Sequence, residues 1–381
     1  MRIEQPVNIS DLRRAALQRL PWIIGDWLDG GSEDERAVRR NLAQFERFRL
    51  VPRYLVDITG ASTGTSLFGR GYACPFGIAP TGYPCIFRPQ GDLLLARAAA
   101  AADIPFIMSG AATATVEAVG AAAPDHAWFQ LYAAKDEGIT RDMIARAVAA
   151  GRPALVVTVD VPADPKRERD IRNGFDMPPP MGPRLVLDGL VHPQWTWRYL
   201  AAGGLPTMAN WAPYAPKGMD AVGVARFASD KFHATLSWRH VEAFRAQWPG
   251  TLILKGIMDA GDARRAAEAG VDGLIVSNHG GRQGDRLPAA LEVVPRILDA
   301  APNLTVMMDG GIRRGADIVT ALALGARFVF VGRATLFGLA TAGQAGVAHA
   351  IAILKDEMLV TMRQIGRPTI ASLGPDAVLT T

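Results

Sequence analysis

Residues 263–285, ARRAAEAGVDGLIVSNHGGRQGD, show one unit of a pattern that repeats along the chain. An alanine-rich, helix-prone segment stops at Gly270, a short apolar run follows, and the run breaks into polar residues inside a glycine-rich turn. From residue 76 onward the same alternation recurs, with apolar runs at Phe76–Pro80, Phe106–Gly110, Ala127–Tyr132, Ala154–Asp160, Thr251–Gly256, Gly273–Asn278, Thr305–Gly310 and Phe328–Gly332. Eight strands alternating with helices close naturally, so the expected class is α/β, a (β/α)8 TIM barrel rather than an open doubly wound sheet.

Polar residues fall where such a barrel needs them. Run after run ends in one: Ser109, Gln130 with Tyr132, Thr158 with Asp160, Lys255, Ser277 with His279, Asp309 and Arg333. At the C-terminal ends of barrel strands these side chains face one shared mouth, whereas in a core they would be costly. Spacing adds a second feature, because the gap after the fourth run far exceeds the others and implies a long excursion over the active-site face, roughly 161–250.

Residues 1–60 read as a helical segment preceding a barrel over 61–381. Ser10 is expected to cap one helix, Pro21 to sit in the first turn of a second ended by Gly30–Gly31, and Ser32 with Glu35 to form a capping box for a third running towards Phe48.

Composition excludes several classes. With 381 residues, 49% hydrophobic and 20% charged, the chain is globular and not disordered. The formal charge of +4 is small and its signs are interspersed, so no nucleic-acid partner is expected. Cys74 and Cys85 show neither metal-ligand nor disulfide spacing, no metal is expected, and MRIEQPVNIS carries no secretory signal, all of which suits the cytoplasm. No run is long enough to span a membrane. Within the excursion, however, Trp195, Trp197, Tyr199, Trp211 and Tyr214 are interleaved with Arg184, Arg198 and Lys217. Such interleaving suits a membrane interface; a folded lid packing its aromatics on the barrel is the other reading of 176–232.

Three motifs carry chemistry. SNHGGRQGD, Ser277–Asp285, sets an imidazole beside a guanidinium at a strand end, a proton acceptor next to a carboxylate-binding fork. DGGIRRG, Asp309–Gly315, and GRA, Gly332–Ala334, follow the seventh and eighth runs, where glycine turns with Arg313 and Arg333 form a phosphate anchor. Lys255 ends LILKG and points an ammonium into the same mouth, and Arg167 in KRERD could complete a clamp with Arg282.

These residues, with RLPWIIGDWLDGGSEDE, APTG, WFQLY, TVDVP, LKG and VGRA, resemble the FMN-dependent α-hydroxy acid dehydrogenase/oxidase family along almost the whole chain. LDGLVHPQW and ATAGQAGV are most similar to its membrane-associated bacterial lactate and mandelate dehydrogenases. The resemblance implies FMN as cofactor and His279 as base, supported by Asp160. It implies Arg167 and Arg282 on the substrate carboxylate, Tyr132 on its hydroxyl or carboxylate, and Lys255 at the flavin N1–O2 edge. Pro80, Thr81, Gly82, Ser109, Gln130, Thr158 and Ser277 would line the ring and ribityl chain, and Asp309, Gly310, Gly311, Ile312, Arg313, Gly332 and Arg333 the phosphate end. It also implies a homotetramer and a peripheral place on the cytoplasmic face of the inner membrane.

The sequence departs from the family at three points. Trp27 stands where a carboxylate-binding tyrosine is usual, Ala111 where glycolate oxidase has a tryptophan, and Gly284 makes RQGD of the usual RQLD. The first replaces a donor by an indole N–H, the second makes room for an aromatic substrate ring, and the third suggests a looser turn. The expected reaction is therefore oxidation of an (S)-2-hydroxy acid, mandelate-like or lactate, with electrons passed to a quinone-type acceptor. Gly82, where oxidases often carry alanine, favours that over an oxidase making hydrogen peroxide. A phosphate-binding flavin isomerase would leave Arg167, His279 and Arg282 without a purpose, and a membrane-docked protein that has lost catalysis would bind flavin without being reduced.

Overall fold

The computed structural model describes residues 6–175, 182–232 and 235–380. Eight parallel strands form a closed barrel: β1 (Phe76–Ile78), β2 (Phe106–Met108), β3 (Ala127–Leu131), β4 (Ala154–Thr158), β5 (Thr251–Lys255), β6 (Gly273–Val276), β7 (Thr305–Asp309) and β8 (Phe328–Val331). Closure is made by β8 against β1, with Val331 opposite Ile78. All eight expected runs are strands, each ending one or two residues before the run does. Of the polar residues at the mouth, Gln130, Thr158, Lys255 and Asp309 are still in the ladder, whereas Ser109, Tyr132, Asp160, Ser277 and His279 follow it.

Strands buried on both faces read as unbroken apolar runs, and here alternate residues fill the interior. Ile107, Trp128, Val156, Ile253, Ile275, Met307, Phe328 and Phe330 form one packed cluster. An antiparallel hairpin, Thr65–Leu67 with Arg70–Tyr72, closes the end opposite the mouth and adds Leu67 and Tyr72 to that cluster. Its turn places Phe68 and Gly69 at φ +49° and +79°, the two left-handed positions of a tight hairpin turn. Glycine takes such a φ freely. Phenylalanine does so at a cost, which its ring offsets by packing 6.1 Å from Trp128.

The N-terminal helices α1 (Ile9–Leu17), α2 (Trp22–Asp29) and α3 (Arg36–Ala43) form as expected, but the start of each differs from expectation. Asn8, not Ser10, caps α1, its Oδ1 accepting from Asp11 N at 2.8 Å. Pro21 stands just outside α2 rather than within its first turn, while Gly30 ends that helix. Ser32 and Glu35 form no capping box because tertiary partners claim both: Ser32 N donates to Gly281 O at 3.0 Å, and the Glu35 carboxylate pairs with Arg169. The donor at the start of α3 is satisfied instead from across the chain, Ala37 N donating to Asp285 Oδ1 at 3.1 Å. After a 3-10 turn, Gln44–Arg47, the strand Phe48–Leu50 pairs antiparallel with the C-terminal strand Val378–Thr380.

The excursion between β4 and β5 is largely helical: Glu168–Arg172, Pro183–Val191, Pro193–Ala201, Ala221–Phe232 and Trp238–Gln247. Residues 176–181 of the expected insertion lie outside the described residues, as does the Arg184 side chain. The aromatics divide between the two readings. Trp211 is fully buried, donating from Nε1 to Gly110 O at 3.1 Å, and Trp195 Nε1 donates to Ile86 O at 2.8 Å, as a lid would. In contrast Val186, Leu187, Leu190, Val191, Trp197 and Leu200 are all exposed. The first four are spaced i, i+1, i+4, i+5, one face of a helix, and make a coherent apolar surface. Among the described residues no helix is long and apolar enough to cross a membrane.

Candidate active site

A cleft of about 860 Å3, counting space open to solvent, lies at the C-terminal mouth of the barrel. Its wall brings together Trp27, Pro80, Thr81, Gly82, Tyr132, Lys255, His279, Arg282, Asp309, Gly310, Gly311, Ile312, Arg313, Gly332 and Arg333. Ser109, Gln130, Thr158 and Ser277 are buried beneath this surface, and Ala111 sits behind Gly82, within 3.4 Å of where a Cβ on that glycine would stand.

His279 occupies a left-handed conformation, φ +58°, followed by Gly280 at +64° and Gly281 at +77°. Such strain at a non-glycine residue persists only when its surroundings over-determine it. Here His279 N donates to Ser277 Oγ at 3.0 Å, and Nδ1 lies 3.0 Å from Asp160 Oδ1. A carboxylate partner assigns the proton to Nδ1 and leaves Nε2 as the free lone pair. Burial pushes the Asp160 carboxyl up, but His279 and Lys255 pull harder, and it is held below the usual carboxylate range.

Ser277 Oγ is the node of a buried charge network. It accepts from Lys255 Nζ at 3.0 Å and donates to Asp309 Oδ1 at 2.5 Å, while Lys255 Nζ is 3.3 Å from Asp309 Oδ2. Burial opposes the Lys255 charge, yet Asp309 and Asp160 more than restore it and raise its pKa. Burial likewise pushes the Tyr132 hydroxyl up, to about 12, so it remains a neutral donor.

Three guanidiniums, those of Arg282, Arg313 and Arg333, line the cleft, and Arg167 lies against Arg282. Arg282 Nη1 donates to Trp27 O at 2.7 Å and Gly30 O at 3.0 Å, and Arg167 Nε donates to Arg282 O at 3.4 Å. Arg333 donates to Leu28 O, Gly280 O and Gly30 O. Burial, then crowding by Arg167 and Arg333, holds Arg282 well below its ordinary value, and burial with Arg333 brings Arg313 down to about 10. Guanidiniums pressed together in this way are stabilised by an anion placed among them.

The residues fit FMN. Thr81 Oγ1, Gln130 Nε2 and Thr158 Oγ1 are buried without a hydrogen-bond partner in the protein, the kind of orphaned polar atoms that the edge of a flavin ring satisfies. Gly332 caps the helix Arg333–Ala342, whose N-terminus, with Arg313, is suited to the phosphate. Gly311, at φ +84°, lets the loop after β7 pass under α3, where a Cβ would come within 1.8 Å of Asn41 O.

A model of the FMN-dependent dehydrogenase family matches residues 16–380. The chain belongs to that family. It is 39% identical to (S)-mandelate dehydrogenase of Pseudomonas putida over 369 residues, 97% of this chain and 93% of that one. It is also 39% identical to an L-lactate dehydrogenase of Caulobacter vibrioides, over 96% of both chains. Its structure superposes on that of the monotopic membrane protein (S)-mandelate dehydrogenase with a TM-score of 0.95 at 38% identity, covering 99% of this chain and 100% of the other. A mandelate oxidase structure matches with a TM-score of 0.83 at 36% identity, covering 99% of both. The membership makes this chain an FMN-dependent oxidoreductase.

Several residues with a structural part in the cleft had no signal in the sequence. Phe87 and Phe175 stack on either side of Trp27, at 5.3 and 5.4 Å, and fix its ring. Asn41 and Asn278 exchange two side-chain hydrogen bonds of 2.8 Å, tying α3 to the His279 turn. Asp285 caps α3 and is almost fully buried, and Gly284 is not in a left-handed conformation, so the turn after Arg282 is pinned rather than loose.

Proposed function

We propose that this enzyme oxidises an (S)-2-hydroxy acid of the mandelate or lactate type to the 2-oxo acid and passes the electrons to a quinone-type acceptor. The observation that carries the reading is the His279 imidazole, held through Nδ1 by Asp160 at 3.0 Å and lining the same cleft as Arg282 and Tyr132. FMN, when bound, supplies a two-electron sink.

Nε2 of His279 takes the substrate proton, and the ionised Asp160 stabilises the imidazolium that results. Arg282 and Arg167 bind the carboxylate, and the Tyr132 hydroxyl donates to the same group or to the substrate hydroxyl. Lys255, kept charged by Asp309, stabilises negative charge at the flavin edge. Pro80, Thr81, Gly82, Ser109, Gln130, Thr158 and Ser277 surround the ring and ribityl chain. Asp309, Gly310, Gly311, Ile312, Arg313, Gly332 and Arg333 hold the phosphate end. Trp27, with Ala111 leaving room nearby, sits towards the substrate side chain.

The enzyme works at a membrane surface, on the cytoplasmic face of the inner membrane, with Leu187, Leu190, Trp197 and their neighbours entering the headgroup boundary. Support comes from the coherent apolar face of helix Pro183–Val191 and from a relative described as monotopic. An oxidase forming hydrogen peroxide is the second reading, favoured by the mandelate oxidase match.

The test is an anaerobic visible spectrum before and after (S)-mandelate, then L-lactate. Bleaching of the flavin band by either supports the reading, and persistence of the oxidised band with both refutes it. Stoichiometric peroxide under air would replace the quinone acceptor by oxygen.

A further inference from the structure

A second cavity, of about 970 Å3 counting space open to solvent, shares one wall with the flavin cleft. That wall is Phe87, which lines both and whose ring lies stacked 5.3 Å from Trp27. Most of the remaining lining comes from the residues that follow α1, Gln18, Arg19 and Leu20, and from the excursion helices, including Val191, Trp195 and Arg198. Val191 is 72% exposed and continues the apolar face of helix Pro183–Val191, so the cavity opens where that face ends.

Cationic and imidazole groups stand among the polar residues at this opening. Arg198 lines both the cavity and a shallower groove beside it, and the two share Pro89. Arg88, which lines that groove, has its Nη1 buried with no hydrogen-bond partner, and burial followed by the nearby Arg198 lowers its pKa. His192 also lines the cavity, with Nδ1 held 3.0 Å from the buried Asp188. The combination asks for a ligand with an apolar body, hydrogen-bond acceptors at its edge and a route from a lipid phase.

We propose that this cavity docks a lipid-soluble quinone and that Phe87 and Trp27 form the partition across which it takes electrons from the flavin. The inference rests on the hydroxy acid dehydrogenase reading and adds to it the place of the acceptor. The 2-hydroxy acid loses two electrons and two protons as its α-C–H and O–H bonds break. The electrons pass through the flavin, one substrate proton leaves by way of His279, and the second is released to solvent as the electrons move on to the acceptor. The quinone gains two electrons and forms two O–H bonds, with one proton delivered through His192 and the other from solvent. Substrate and acceptor thus occupy opposite sides of one aromatic pair and need not exchange places during turnover.

The holoenzyme is labelled with an azidoquinone under light and the adduct located by mass spectrometry, in parallel with steady-state kinetics on decylubiquinone. Labelling is expected within 18–20 or 191–198 and to be prevented by excess decylubiquinone. Gln18→Phe, which fills the cavity from the side of α1, is expected to raise the KM for decylubiquinone at least tenfold. Its anaerobic bleaching by the hydroxy acid and its turnover with ferricyanide should not change. Labelling elsewhere together with an unchanged quinone KM overturns the proposal, as does labelling prevented by anionic phospholipid but not by quinone, which would make the cavity a headgroup site. Failure of every hydroxy acid to bleach the flavin overturns the dehydrogenase reading alone, because the labelling needs no turnover.

Discussion

His279 Nδ1 and Asp160 Oδ1 lie 3.0 Å apart, joined across 119 residues of chain, and this contact sets which nitrogen of the imidazole faces the cleft. Asp160→Asn keeps the shape but removes the charge that stabilises the imidazolium. A fall in kcat of about 10²- to 10⁴-fold, with flavin content unchanged, is expected from stopped-flow reduction. His279→Ala should abolish turnover and still bind flavin, since the phosphate anchor is on other loops; loss of flavin would contradict the assignment.

Asp160 also has a signature in stability. Its carboxyl is held below the unfolded value of about 3.9. The stabilisation is therefore fully present above that value and is lost as pH falls through the lower, folded one. Denaturant unfolding followed from neutrality to below pH 4 should show a steeper acid limb for the native protein than for Asp160→Asn. Parallel limbs would mean that the carboxyl is not depressed.

Arg282→Lys tests the carboxylate clamp. A point charge cannot replace the planar fork, and the native guanidinium also holds Trp27 O and Gly30 O. KM for the hydroxy acid should rise by about 10- to 100-fold, equivalent to about 1.4–2.8 kcal/mol, with a smaller change in kcat. An unchanged KM counts against the clamp.

Lys255→Met strands a buried carboxylate. Lys255 and Asp309 are nearly inaccessible and 3.3 Å apart, so removing one partner should cost about 3–5 kcal/mol in denaturant unfolding. Asp285→Ala should cost about 1 kcal/mol by leaving Ala37 N at the start of α3 without its acceptor.

Leu187→Glu with Leu190→Glu places two charges on the apolar face without touching the barrel. Sedimentation with anionic vesicles should be lost while flavin content and hydroxy acid reduction stay the same. Point changes serve better than deleting the segment, because a cut through Trp211 would remove a buried ring bonded to Gly110 O.

The barrel was legible because its signal is local: each apolar run is its own strand, and each polar residue after it, such as Lys255 or His279, already stands at the mouth. Cleft residues set within such motifs were legible for the same reason. The helix caps were not. Ser32 and Glu35 satisfy the local pattern of a capping box, yet Gly281 O and Arg169, far along the chain, offer them better partners. Asn41 and Phe87 escaped notice for a related cause, since each acts through a contact more than fifty residues away and nothing in its own neighbourhood marks it. The hairpin under the barrel was hidden by its turn, where Phe68 stands in a place that asparagine or aspartate usually announces.

The bonds from Arg282 and Arg333 to carbonyls of Trp27, Leu28 and Gly30 bear on how the protein is made. Arg282 lies 255 residues after Trp27, and at a ribosomal rate of about 5–20 residues per second it emerges roughly 13–50 s later. Until then α2 has none of these anchors, and Ile23, Ile24, Trp27 and Leu28, buried in the finished enzyme, lack their final cover. The nascent chain thus carries an apolar helix without its final cover through most of its synthesis.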